Sequence, residues 1–180
     1  MAVASFGQQL KTGRVGEGYI ASWLISRGWH VLPVYDIEID TGKGPRLFSA
    51  RRELIATDML VFNSSKVRWV EAKHKEAFSL HRITGNWVTG IDLHHYEHYQ
   101  QIARISPWPV WLMFLQRGGQ AKDSPPCNIS GLFAGELSYL REHENHRHEN
   151  WGKNGMVYWA HTTLRLIAPL EEVTGLRMAV

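Results

Sequence analysis

Apolar positions along residues 5–27 recur at spacings of three, four and seven. Leu10, Ile20, Ala21 and Leu24 fall on one face, the pattern of an amphipathic helix. Glu17 falls on the same stripe and breaks it. Ser5 suits the N-cap of this helix and Gly28 its stop. Gly13, Gly16 and Gly18 each weaken it by roughly 1 kcal/mol relative to alanine. Close packing of the helix against a sheet is one reason to keep them.

Beyond Gly28 the period changes. "HVLPVYDIEI" (30–39) reads as a first strand, with Pro33 suiting an edge or irregular position. Residues 40–53 are turn-rich and basic and read as a long loop. "LIATDMLVF" (54–62) and "VRWVEAKH" (67–74) predict a second and third strand, joined by the short hairpin connection "NSSK". Residues 76–91, with "TGNWVTG", read as a mobile or ligand-facing loop. A helix is predicted over 93–105, capped by Asp92, with Leu93, Tyr96, Gln100 and Ala103 on its stripe and "SPWP" at its end. "VWLMFLQ" (110–116) is apolar almost throughout, which predicts a strand buried on both faces.

The remaining residues are less regular. "NISGLFAG" and "GMVYWAH" suggest strands, "ELSYLREH" a short helix, and "ENHRHENWGKNG" a polar loop. The order up to residue 116 is α-β-β-β-α-β. A helical crossover of that length makes its flanking strands parallel. The expected fold is therefore α/β (α+β): a mixed central sheet flanked by helices. It forms a single domain over 1–180, with a core at about 5–116 and a C-terminal extension at about 117–180.

Composition narrows the class. The chain has 180 residues, 44% hydrophobic and 21% charged, the balance of a globular protein with a sizeable core. One cysteine, Cys127, cannot form an internal disulfide, so an intracellular, cytoplasmic setting is expected. The first residues lack the apolar stretch of a signal peptide, and no run is long enough to span a membrane. A net charge of +3 and eight tryptophans are compatible with nucleic-acid binding without requiring it.

The sharpest signal lies in "VRWVEAKHK". Strand alternation puts Val67, Trp69, Glu71 and Lys73 on one face, and Arg68, Val70, Ala72 and His74 on the other. With Ser64–Ser65 as a two-residue turn, Phe62 faces Val67, Leu60 faces Trp69 and Asp58 faces Glu71. Like charges so opposed destabilise a sheet, and a divalent cation between them reverses the sign. Glu17 has Arg14, Lys73 or a metal as possible partners. The bland alternative is a buried Glu–Lys pair that holds helix to sheet. Two carboxylates and a backbone carbonyl suit Mg²⁺ and leave room for waters and a phosphate. Lys73 would orient or deprotonate an attacking water, or stabilise developing charge.

"ATDMLVF" followed by "VEAKHK" resembles the D…ExK signature of the PD-(D/E)XK nucleases. "GRVGEGYIASWLISRGWHVL" is similar to the first helix of the Holliday-junction-resolvase-like branch. The resemblance spans about residues 13–116 and implies a restriction-endonuclease-like αβββαβ core. It implies Asp58, Glu71 and the main-chain carbonyl of Ala72 as metal ligands, Lys73 as the catalytic lysine and Glu17 as an accessory carboxylate, acting on the metal directly or through water. Thr57 stands where the motif's name has proline. Gln100, on the second helix, is a further candidate. The implied activity is a Mg²⁺-dependent DNA endonuclease, with Mn²⁺ as substitute, acting on branched or structured DNA in recombination, repair or a phage-like replication setting. A homodimer is compatible with cutting two strands.

Other features fit around this reading. Lys43, Arg46, Arg51, Arg52, Lys75 and Arg82 fall in segments flanking the proposed site, where they would contact phosphates or simply keep the surface soluble. Trp87 would stack on a base or anchor its loop. His94 and His98, four apart, and His143, His146 and His148 offer too few defined ligands for a structural zinc. His95 and His98 are alternatively placed to meet phosphates. Two other classes remain open: a non-catalytic DNA-binding module retaining the fold, and a partner-binding protein whose acidic residues form an ion-pair network.

Overall fold

The structure, a computed structural model, describes residues 6–34, 45–48, 53–150 and 154–176. Helix α1 (Phe6–Ser26) leads into strand β1 (His30–Pro33), and a small hairpin follows, β2 (Arg46–Phe48) with β3 (Glu53–Ile55). Next come β4 (Met59–Phe62), β5 (Val67–Lys75), β6 (Ser79–His81), β7 (Asn86–Asp92), α2 (Leu93–Ile105) and β8 (Val110–Gln116). The chain continues through β9 (Gly131–Glu136), α3 (Leu137–Glu142), β10 (His146–His148), β11 (Met156–Ala160), β12 (Arg165–Ala168) and α4 (Leu170–Thr174).

Six strands form the central sheet in the order β1-β4-β5-β8-β9-β12. β5 and β8 are parallel, and the other neighbours are antiparallel. This is the mixed sheet and the αβββαβ order expected, with β1 at an edge. A second sheet, β10-β11-β7-β6, packs beside it. Among the described residues no helix is long and apolar enough to cross a membrane.

Strand alternation sorts the interior into two cores. On one face of the central sheet, Val70, Ala72, Met113, Leu115, Leu132 and Ala134 meet Ile20, Trp23 and Leu24 of α1 and Val173 of α4. On the other, Leu112, Phe114 and Phe133 meet Tyr96, Tyr99 and Ile102 of α2 together with Ile91, Val157 and Trp159 of the second sheet. Both faces of β8 are thus covered, which is why its sequence is apolar at every internal position. Gly16 lets α1 approach β5: a Cβ there would collide with the Cβ of His74. Gly28 takes φ +81°, the left-handed turn that ends the helix.

Several expectations change in detail. Residues 54–62 are not one strand: β3 pairs with β2, the chain turns at 56–58, and β4 pairs with β1 and β5. Part of the stretch read as a long loop is therefore a hairpin arm. "TGNWVTG" is not a loop either, since Asn86–Asp92 is a strand between β6 and β11. The polar stretch "ENHRHENWGKNG" contains β10, held by pairing with β11 and by the His146 ring stacked on Tyr158 at 4.5 Å. The buried stripe of α2 is Tyr96, Tyr99 and Ile102, and Ala103 is exposed. The C-terminal 60 residues are woven into both sheets through β9, β10, β11 and β12. Ser5, Lys43, Arg51 and Arg52 lie outside the described residues.

Candidate active site

The β4–β5 hairpin sets the register of the site. Asn63 N–H donates to Lys66 O at 2.9 Å, closing a turn around Ser64 and Ser65. The Asn63 side chain accepts from the amides of Ser65 and Lys66 at 3.0 and 2.9 Å, an Asx turn that fixes the loop. Phe62 then faces Val67, and Leu60 faces Trp69, as expected. Asp58 precedes the last paired residue, Met59, and is tied to β5 by its side chain instead. Its Oδ2 accepts from the Ala72 N–H at 2.8 Å.

Glu71 is 1% exposed. One of its oxygens, Oε1, forms an ion pair with Lys73 Nζ. The other, Oε2, is buried and accepts no hydrogen bond from the described residues while Asp58 is ionised; a protonated Asp58 would donate to the Glu71 carboxylate. An orphaned carboxylate oxygen in a protein interior costs free energy that a ligand would return. Burial first, and the charge of Glu71 second, push Asp58 up to about 7. Burial, then the charge of Asp58, push Glu17 up to about 6, with Lys73 and Arg14 opposing. Asp58 is therefore repelled by Glu71 and itself repels Glu17, beside one lysine. Burial works against the charge on Lys73, but Glu71 and Asp58 outweigh it and hold its pKa well above the ordinary lysine value.

These residues fit a hard divalent cation. Asp58, Glu71 and the Ala72 carbonyl are oxygen ligands, and Oε2 of Glu71 is buried without a hydrogen bond from the described residues while Asp58 is ionised. Among the described residues, no three His, Cys, Asp or Glu side chains converge into a complete cage.

The remaining sequence candidates fall at different distances from this centre. Lys75, two residues beyond Lys73 on the same face of β5, is lowered to about 8 by burial and by the charge of Lys73. Arg46 lies on β2 with its Nε 3.3 Å from Glu53. Arg82 is exposed in the β6–β7 turn. Trp87 is half-buried against the core shared with α2, so it anchors its strand. Gln100 stands beside Tyr96, whose hydroxyl donates to Glu144 at 2.6 Å.

The α2 residue that meets the carboxylates is Tyr99, which the sequence reading missed. It is 1% exposed. Burial, then the charges of Glu71 and Asp58, hold its phenol well above the ordinary tyrosine value. A stripe drawn through Tyr96, Tyr99 and Ile102 would have found it. His95 is also close: burial and then the charge of Lys73 lower its pKa. Gln116, at the end of β8 and fully buried, donates to Thr89 of β7 at 2.9 Å, linking the two sheets opposite Lys75. His94 and His98 do not form a metal pair. Their rings meet edge-on at 4.5 Å, and His98 Nδ1 accepts from the Ile55 N–H.

No protein-family model matches the chain, and no curated protein matches it in sequence. Solved structures similar to it at low identity include the following two. A Holliday junction resolvase (Hjc) from Archaeoglobus fulgidus aligns with TM-score 0.48 and 9% identity, over 84% of this chain and 90% of that one. D212, a nuclease from a fusselovirus, aligns with TM-score 0.43 and 9% identity, over 96% of this chain and 92% of that one.

Proposed function

We propose that this protein is a divalent-metal-dependent DNA endonuclease that hydrolyses phosphodiester bonds, and that its substrates are branched or structured DNA. The observation that carries the hydrolytic reading is the buried Glu71 carboxylate beside Asp58 and Lys73, its Oε2 given no hydrogen bond by the described residues while Asp58 is ionised. Asp58, Glu71 and the Ala72 carbonyl would hold Mg²⁺ or Mn²⁺, with Glu17 reaching it through water. When bound, that ion would neutralise phosphate charge and lower the pKa of an attacking water. Asp58 is fixed by the Ala72 amide, so its orientation is set before any ligand arrives. Lys73, held cationic by its carboxylate neighbours, would stabilise charge developing on the phosphate. Lys75, Arg46 and Arg82 would contribute phosphate contacts that steer DNA without reading its sequence. The preference for branched DNA rests on the resemblance of the first helix and the D…ExK signature.

The test is a panel of linear, single-stranded, flap and four-way-junction DNA, with and without Mg²⁺. The expected result is Mg²⁺-dependent cleavage, strongest on the branched substrates and lost in Asp58→Ala and Glu71→Ala. Normal cutting by either folded variant would overturn the site. The Glu71–Lys73 ion pair favours a second reading, a structural charge network without catalysis. Calorimetry showing no Mg²⁺ or Mn²⁺ binding would decide for that reading.

A further inference from the structure

We infer that His98 is a positioning residue for the carboxylate site, because its Nδ1 holds the backbone segment that delivers Asp58. The inference rests on the nuclease reading for its effect on activity, but not for the contact itself. Ile55 is the last residue of β3, and its N–H is taken by a histidine ring on α2, at 3.1 Å, rather than by a strand. A backbone amide can only donate, so Nδ1 must be the unprotonated nitrogen and Nε2 carries the proton.

Every residue from there to the site is pinned. Ala56 N–H donates to Pro45 O at 2.8 Å. Thr57 is fully buried, and its hydroxyl donates to Met59 O at 3.3 Å. Asp58 O accepts from the Val34 N–H at 2.9 Å, and its Oδ2 from the Ala72 N–H. Only Ala56 and Thr57 separate Ile55 from Asp58, a span of at most about 10 Å. Releasing Ile55 removes the hold of α2 on this segment and leaves it to its remaining bonds.

The ring is itself held. His94 packs edge-on against it. Among the described residues, the charged and titratable groups around it are His94, His95 and Glu97 on its own helix and Arg46 from β2, with Glu53 of β3 drawn to Arg46. Burial first, then His94, His95 and Arg46, favour the neutral imidazole, against Glu97. Protonation at Nδ1 would set one N–H against another, so acid opens this contact.

The test compares His98→Asn, whose Oδ1 can occupy the Nδ1 position, with His98→Gln and His98→Leu, which cannot restore that acceptor there. The first readout is the Ile55 amide resonance by ¹H–¹⁵N NMR across pH. In the wild type it should shift through an acid transition. In His98→Asn it should lack that transition, and in His98→Leu it should move toward a non-bonded value at every pH. The second readout is Mn²⁺ affinity by calorimetry together with cleavage at limiting metal. His98→Asn should stay within about threefold of wild type, while His98→Gln and His98→Leu should lose about tenfold, the size of one hydrogen bond. A pH-independent wild-type Ile55 resonance, or His98→Gln and His98→Leu matching wild type in Mn²⁺ affinity, would overturn the proposal. Should His98→Leu fail to fold, the Asn–Gln contrast decides. If no DNA is cut but Ile55 and Mn²⁺ affinity behave as stated, the positioning role stands and the nuclease reading falls.

Discussion

Asp58 hangs from the backbone of the residue that follows Glu71: its Oδ2 accepts the Ala72 N–H at 2.8 Å. One hydrogen bond thereby fixes two carboxylates against each other across the β4–β5 hairpin, in a place where the charge of Glu71 raises the cost of ionising Asp58. The energetics of the site follow from this arrangement.

Asp58→Asn removes the repulsion and keeps an oxygen for the Ala72 amide. The variant should be inactive yet more stable than wild type at pH 8 without metal, by about 1–2 kcal/mol or roughly 2–6 °C in Tm. Differential scanning fluorimetry in chelator checks this, and an unchanged or lowered Tm would contradict the charge-repulsion account.

Stability without metal should fall as pH rises. Asp58 moves from 3.8 unfolded to about 7 folded, and Glu17 from 4.5 to about 6. Between these values the folded state binds more protons than the unfolded one, so the penalty begins near pH 4 and is complete above about pH 7. Urea midpoints in chelator should decline across that window. Saturating Mn²⁺ should flatten the decline above pH 6, because an ion that binds only the folded form stabilises it.

Lys73→Met leaves the buried Glu71 carboxylate without its cation. The expected loss is on the order of 3 kcal/mol in unfolding free energy. Adding Glu71→Gln should recover most of it while cleavage stays absent. A double variant no more stable than Lys73→Met alone would show that the pair is not the source of the loss.

Gly16→Ala tests the contact between α1 and β5. Helix propensity alone predicts a gain of up to about 1 kcal/mol. The collision of the new Cβ with His74 should reverse that, giving a net loss of about 1–3 kcal/mol by urea denaturation. A net gain would mean that α1 rides higher above the sheet than described.

What the sequence disclosed was local. The two-residue turn at Ser64–Ser65 fixed the facing of Phe62 with Val67 and carried Asp58 toward Glu71, because a hairpin register follows from its loop length. The α2 boundaries followed from Asp92, whose side chain accepts from the His94 amide at 2.9 Å. The second sheet was hidden because β7 pairs with β11, more than sixty residues away, and its glycines read as turn signals. The break at 56–58 was hidden because Ala56 and Thr57 are buried like strand residues although neither belongs to a strand. Tyr99 was missed because the helical stripe was drawn one residue away, through Gln100.

The path of the chain also fixes when these contacts can be made. Asp58 and Glu71 are joined by a short hairpin, so they meet on the microsecond scale of hairpin closure, while both are still in water. Their desolvation waits until β8 returns to pair in parallel with β5 and α2 closes over them. The cost of the carboxylate cluster thus falls late on the folding route. An ion that relieves it would act on the rate of opening far more than on the rate of closing. The apo protein would escape its native state quickly, and the loaded one slowly, from the same starting sequence.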